Sequence, residues 1–164
     1  MRATNWKRLI LVAALVAPIA TATASGGGGG GGGGGSAGGG SSEDQKVFAA
    51  AQAAIDKRDW DGSISILSAY VKVQPGSADA FNLLGYSSRN KGDLDSAFRY
   101  YEKALAIDPK HRGAHEYLGE AYLMSGNLAK AQEHLAILDK LCWLPCTEFT
   151  ELKTAISTYQ AKGQ

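Results

Sequence analysis

Residues recur along this chain at a fixed interval of 34: Gly85 and Gly119, Gly92 and Gly126, Asp93 and Asn127, Leu94 and Leu128, Ala97 and Ala131. The same interval pairs Asp93 with Asp59, Pro109 with Pro75, Tyr101 with Leu67 and Leu84 with Ala50, so a weaker copy precedes two strong ones. A repeat of this length is one supersecondary unit that cannot bury its apolar face alone, so each copy must be covered by its neighbour. The copies span 44–77, 78–111 and 112–145, which meets the minimum of about three for a continuous core.

Within a copy the apolar residues fall three and four apart, as in Leu94, Ala97, Phe98, Tyr101 and Leu105, and nothing alternates with a period of two. That pattern is helical and excludes half-buried strands, so the fold class is all-α. The spacing predicts a helix from about Ala78 to Asn90 that stops at Gly92, with Asp93 capping the next helix and Asp59 and Asn127 doing the same in their copies. Gly85 and Gly119 sit in mid-helix, where glycine costs about 1 kcal/mol against alanine. They imply a close neighbour, as do Ala97 and Ala131, and Pro109 ends the second helix of its copy.

These positions resemble the tetratricopeptide repeat. The second copy carries Phe81, Leu84-Gly85, Ala97, Tyr101, Ala104 and Pro109, with Ser88 where tyrosine is usual. The third carries His115, Leu118-Gly119, Tyr122, Ala131 and Leu135, then departs at Leu138 and Trp143. The first keeps Leu67 and Pro75 but has Ala50-Ala51 for Leu-Gly and Ser63 for alanine. The resemblance implies an α-solenoid of three tetratricopeptide helix pairs, and a stripe of Phe149, Leu152, Ile156 and Tyr159 marks residues 146–162 as a C-terminal capping helix.

The chain opens with Arg2, Lys7 and Arg8, an apolar run from Leu9 to Ala17, and small residues around Ala22 and Ala24, the order of a secretory signal peptide over residues 1–24. The run is too short to span a bilayer and Pro18 interrupts it. A periplasmic or secreted location is expected, with no stable membrane insertion after cleavage. Residues 25–43 are a Gly/Ser-rich linker, whose glycines give a core nothing to bury. Export turns a formal net charge of +1 slightly acidic, and no run of Lys and Arg is present, which argues against nucleic acid as a partner.

The resemblance implies a concave face that holds a peptide or protein, lined by Asn82, Tyr86, Arg89 and Asn90 in the second copy and Glu116 and Glu120 in the third. Gln45, Phe48, Gln52, Ile55, Asp79 and Leu123 occupy further inward positions. Asn82 can pair with a peptide backbone and Arg89 with a carboxylate. The clamp by which chaperone-binding relatives grip a C-terminal carboxylate is missing, because Phe48, Gln52, Leu83, Gly113 and Tyr117 stand in its places. Cys142 and Cys146 flank Pro145, and in an oxidising compartment a structural disulfide is the first reading. Thiol-redox or metal-handling work at that junction is the alternative to the scaffold. His111 falls in a turn, His115 takes an aromatic packing place, and lone His134 reads as a surface residue, so no metal site is expected. Neither a catalytic constellation nor a cofactor fingerprint is present, and the expectation is a binding protein with no catalysis and no cofactor.

Overall fold

The computed structural model describes residues 41–163, so the expected signal peptide and nearly all of the linker lie outside the described residues. Seven helices follow one another: α1 Ser42–Asp56, α2 Trp60–Val73, α3 Ala78–Lys91, α4 Leu94–Ile107, α5 Arg112–Met124, α6 Leu128–Leu141 and α7 Thr147–Ala161. Each packs on the next, and α3 also meets α5 as α5 meets α7, so the odd-numbered helices form one wall and the even-numbered ones back it. Helix is the only regular secondary structure among the described residues, as the apolar spacing predicts.

Local chemistry sets the boundaries. Asp59, Asp93 and Asn127 are the N-caps of α2, α4 and α6, each accepting a backbone N–H three residues on at 2.9–3.1 Å. Helix α1 starts two residues before the expected first repeat, because Ser41 and Asp44 form a reciprocal capping box. Gly92 closes α3 in the left-handed region at φ 96°, and Gly126 takes φ 81° after α5. One repeat earlier the same place is held by Arg58 at φ 58°, where an L side chain is strained.

The mid-helix glycines answer to contact. A Cβ on Gly85 would lie 2.5 Å from the ring of Tyr101, a fully buried residue of α4. A Cβ on Gly119 would meet Leu152 of α7 at 2.6 Å, so the last helix covers the third repeat. Leu67, Leu84, Leu138 and Leu152 are completely buried, each worth about 1.5–3 kcal/mol on leaving water, and Tyr101 is as buried with its hydroxyl unpartnered by the protein. Ser63, standing for alanine in the first copy, is also fully buried, and its hydroxyl meets that of Ser87 at 2.9 Å, which satisfies both.

His134 is a correction to the surface reading. It is half-buried, stacked on Tyr122 at 5.7 Å, with its Nδ1 2.9 Å from Nδ1 of His115. The Nε2 of His115 lies 3.0 Å from the carbonyl of Pro109, so it is the N–H of His115 at Nε2 that donates there, and the N–H between the rings comes from His134. The two imidazoles thus tie α5 to α6. Burial, then the neighbouring His115, pushes the His134 imidazole down to about 4.

Candidate functional site: the concave helical face

Positions 34 apart in α3 and α5 line one wall: Asn82 with Glu116, and Tyr86 with Glu120. The structure brings most of the expected residues together there, with different duties. Tyr86 packs between Trp60 of α2, at 6.2 Å, and Tyr117 of α5, at 5.1 Å. The Arg89 guanidinium lies over both tyrosine rings, 5.6 and 5.3 Å from their centres, and donates to the Glu120 carboxylate. Only 10% of its side chain is exposed, so its fork is engaged by the protein itself. Asn90 is exposed and donates to the Tyr86 carbonyl at 2.8 Å.

Asn82 is buried against the start of α5, and its Oδ1 accepts no hydrogen bond from the protein. Glu116, at the equivalent place in the next repeat, is 3% exposed. Burial, then a hydrogen bond and charge from Glu151 of α7 and the charges of Glu120 and Glu148, push its carboxyl up to about 9. At neutral pH it is therefore a neutral acid that donates to Glu151. Asp79 is 3.0 Å from His111 Nε2, while His111 Nδ1 caps α5 by accepting from Ala114, so Nε2 carries the proton and donates to Asp79. In α1, Phe48 packs edge-on against Tyr70, Gln52 donates to Asp56, and Ile55 is buried.

Two cavities open on this wall. One of about 470 Å³ lies between α1 and α3, beside Gln52, Ile55, Asp56, Trp60, Tyr86 and Asn90. The other, about 600 Å³, lies between α5 and α7 and has Leu123, Met124, Ala155 and Tyr159 as apolar lining, with Glu120 and Glu151 among its polar groups. Sequence reasoning reached α5 but not α7, because α7 departs from the repeat and only its buried stripe was legible.

At the junction before α7, Cys142 and Cys146 are bonded, with Cα atoms 5.8 Å apart. The enclosed Trp143 and Leu144 are 98% and 74% exposed. Among the described residues no three His, Cys, Asp or Glu side chains are grouped to hold a metal ion, and no helix is long and apolar enough to cross a membrane.

Two profiles described as tetratricopeptide repeat match the chain, over residues 48–112 and 90–140. Among solved structures, the type III secretion chaperone SycD of Yersinia enterocolitica, in complex with a peptide of the translocator YopD, aligns with a TM-score of 0.64 at 19% identity. It covers 76% of this chain and 98% of that one. The TPR2B domain of yeast Sti1, in its pHsp70 complex, gives 0.67 at 15% identity over 74% and 99%. At such identities the likeness is one of fold. The human protein O-mannosyl-transferase TMTC3 is 25% identical over 75 residues, 46% of this chain. Those residues are 8% of the transferase, so the chain matches a small part of that curated relative.

Proposed function

Because the chain belongs to the tetratricopeptide-repeat family, we propose that it is an exported protein-binding scaffold of a bacterial envelope assembly, holding a peptide or protein segment against its concave wall without catalysis. The observation that carries this reading is the wall itself: two cavities of about 470 and 600 Å³ open on it, the first beside Trp60 and Tyr86 of an interlocked aromatic and arginine ladder. Such a floor is pre-organised, which lowers the entropy cost of binding a flexible segment. The complexes of SycD with a YopD peptide and of the Sti1 domain with pHsp70 support the same use of the fold. The closed Cys142–Cys146 bridge favours a structural role for the thiols over metal or redox handling.

The test is affinity capture from an envelope extract with the full chain and with an Asn90→Tyr/Thr154→Tyr variant. Both positions are exposed, so bulk there obstructs the wall without disturbing the core. Proteins retained by the parent and lost by a variant with an unchanged thermal melt support the scaffold. Identical sets from both chains refute it.

A further inference from the structure

Among the described residues Trp143 is the most exposed large apolar side chain, at 98%, and Leu144 beside it is 74% exposed. The Cys142–Cys146 bridge closes the loop that carries them, with Pro145 completing the ring, so the pair is held out from the body of its own chain. A tryptophan fixed in this way loses little entropy when a partner covers it, and tryptophan is a residue type that anchors interfaces. The same chain carries a recess of matching character. The cavity of about 600 Å³ between α5 and α7 has Leu123, Met124, Ala155 and Tyr159 in its lining, and Met124 is 57% exposed, a flexible thioether that adapts to what it meets. Thr150 and Thr154 also line it, and their hydroxyls donate to the carbonyls of Cys146 and Thr150, at 3.0 and 2.8 Å. They ask nothing polar of an occupant. Of the charged groups at the cavity, Glu120 is engaged by Arg89, which leaves Glu151 against Lys162. Asp139 and Lys140, exposed just before the loop, are likewise one of each sign, so contact between loop and cavity gathers no excess of like charge.

Helices α5 and α7 run parallel: Arg112 and Glu148 meet at their starts, 3.6 Å apart, and Leu123 and Tyr159 share the cavity near their ends. The loop stands at the start of α7, and the cavity extends along that helix to Lys162. We propose that two copies of the chain pair about a two-fold axis with their α7 helices antiparallel, each placing Trp143 and Leu144 in the cavity of the other. Antiparallel pairing brings the loop of one copy over the end of the other α7, where Met124 and Tyr159 lie, and the two-fold fills both cavities and closes the assembly. Two such loops in two such cavities cover on the order of 1,000 Å² in total, the size at which a specific interface holds, whereas one loop in one recess of an unrelated protein covers about half of that. That difference selects a second copy as the occupant. The pairing goes beyond the scaffold reading and leaves a client the cavity between α1 and α3.

Sedimentation equilibrium of the oxidised full chain at up to about 200 µM is the test, and the parent is expected to be a dimer. Trp143→Ala removes the anchor and Thr154→Tyr fills the cavity. Both positions are exposed, so each variant is expected to keep its thermal melt and to weaken dimerisation at least about thirtyfold. Met124→Asp, also at an exposed position, closes the same cavity by polarity and serves if the tyrosine shifts the melt. Mixing the anchorless chain with the filled-cavity chain restores one loop in one cavity, so the mixture is expected to associate more tightly than either variant does with itself. A parent that is monomeric at that concentration overturns the proposal, as does a folded variant that dimerises like the parent. A mixture no better than its components also overturns it, because loop and cavity then do not meet each other. Assembly growing beyond the dimer overturns the two-fold arrangement.

Discussion

Replacing Glu116 with glutamine keeps the shape of the side chain and a donor towards Glu151 while removing the ionisable group. In the folded chain the Glu116 carboxyl is raised from 4.5 to about 9, whereas in the unfolded chain it returns to its ordinary value. The folded state therefore binds the extra proton, and its stability is complete below pH 4.5 and lost as pH rises towards 9. At about 1.4 kcal/mol per pH unit, the wild-type chain gives up about 3 kcal/mol by pH 7 and about 2 kcal/mol more between pH 7 and 8.5. The upper window is clean, because the lowered histidines release their protons below it and the aspartates lower still. Urea unfolding followed by circular dichroism at half-unit steps reads this directly. The glutamine variant is expected to be about 2–4 kcal/mol more stable at pH 7.5 and nearly flat from pH 7 to 8.5. Parallel curves for the two chains over that window would show that Glu116 is already ionised in the fold.

Other substitutions test other parts of the reasoning. Arg58→Gly removes the left-handed strain at φ 58° and is expected to raise stability by about 0.5–1 kcal/mol in thermal melts; a loss would mean that the arginine side chain matters more than its backbone. Gly85→Ala drives a Cβ into the buried Tyr101 ring and should cost about 1–3 kcal/mol despite better helix propensity. Gly119→Ala meets both methyl carbons of the completely buried Leu152 at 2.6 and 2.7 Å and its Cγ at 3.3 Å, so it should cost a similar amount in the same urea titration. His134→Gln is expected to flatten the loss of stability as pH falls from 6.5 through about 4, since burial holds the imidazole neutral and it charges only at the expense of the fold. An unchanged acid limb would put that loss elsewhere.

Much of the backbone was readable because repeat chemistry is local. Asp59, Asp93 and Asn127 announce helix starts by type and interval, and Gly85 announces a close contact because nothing else justifies glycine in mid-helix. The wall was less readable because its chemistry is set between helices. Arg89 has the right type and place to grip a ligand carboxylate, yet Glu120, 31 residues away, reaches it first, and no pattern within one repeat predicts that pairing. His134 read as solvated for the same reason: its partner His115 is on another helix and its stacking ring, Tyr122, on the same one. The cavity beside α7 was hidden because α7 departs from the repeat and its contribution appears only when it is laid against α5.

Leu152 seated on Gly119 has a consequence for evolution by duplication. In a growing array, that face of the third unit would receive the first helix of a fourth. Here it is occupied by a segment whose outward side carries Lys153 and Gln160, both exposed. A further copy inserted after residue 145 would have to displace that joint before it could stack on the third unit.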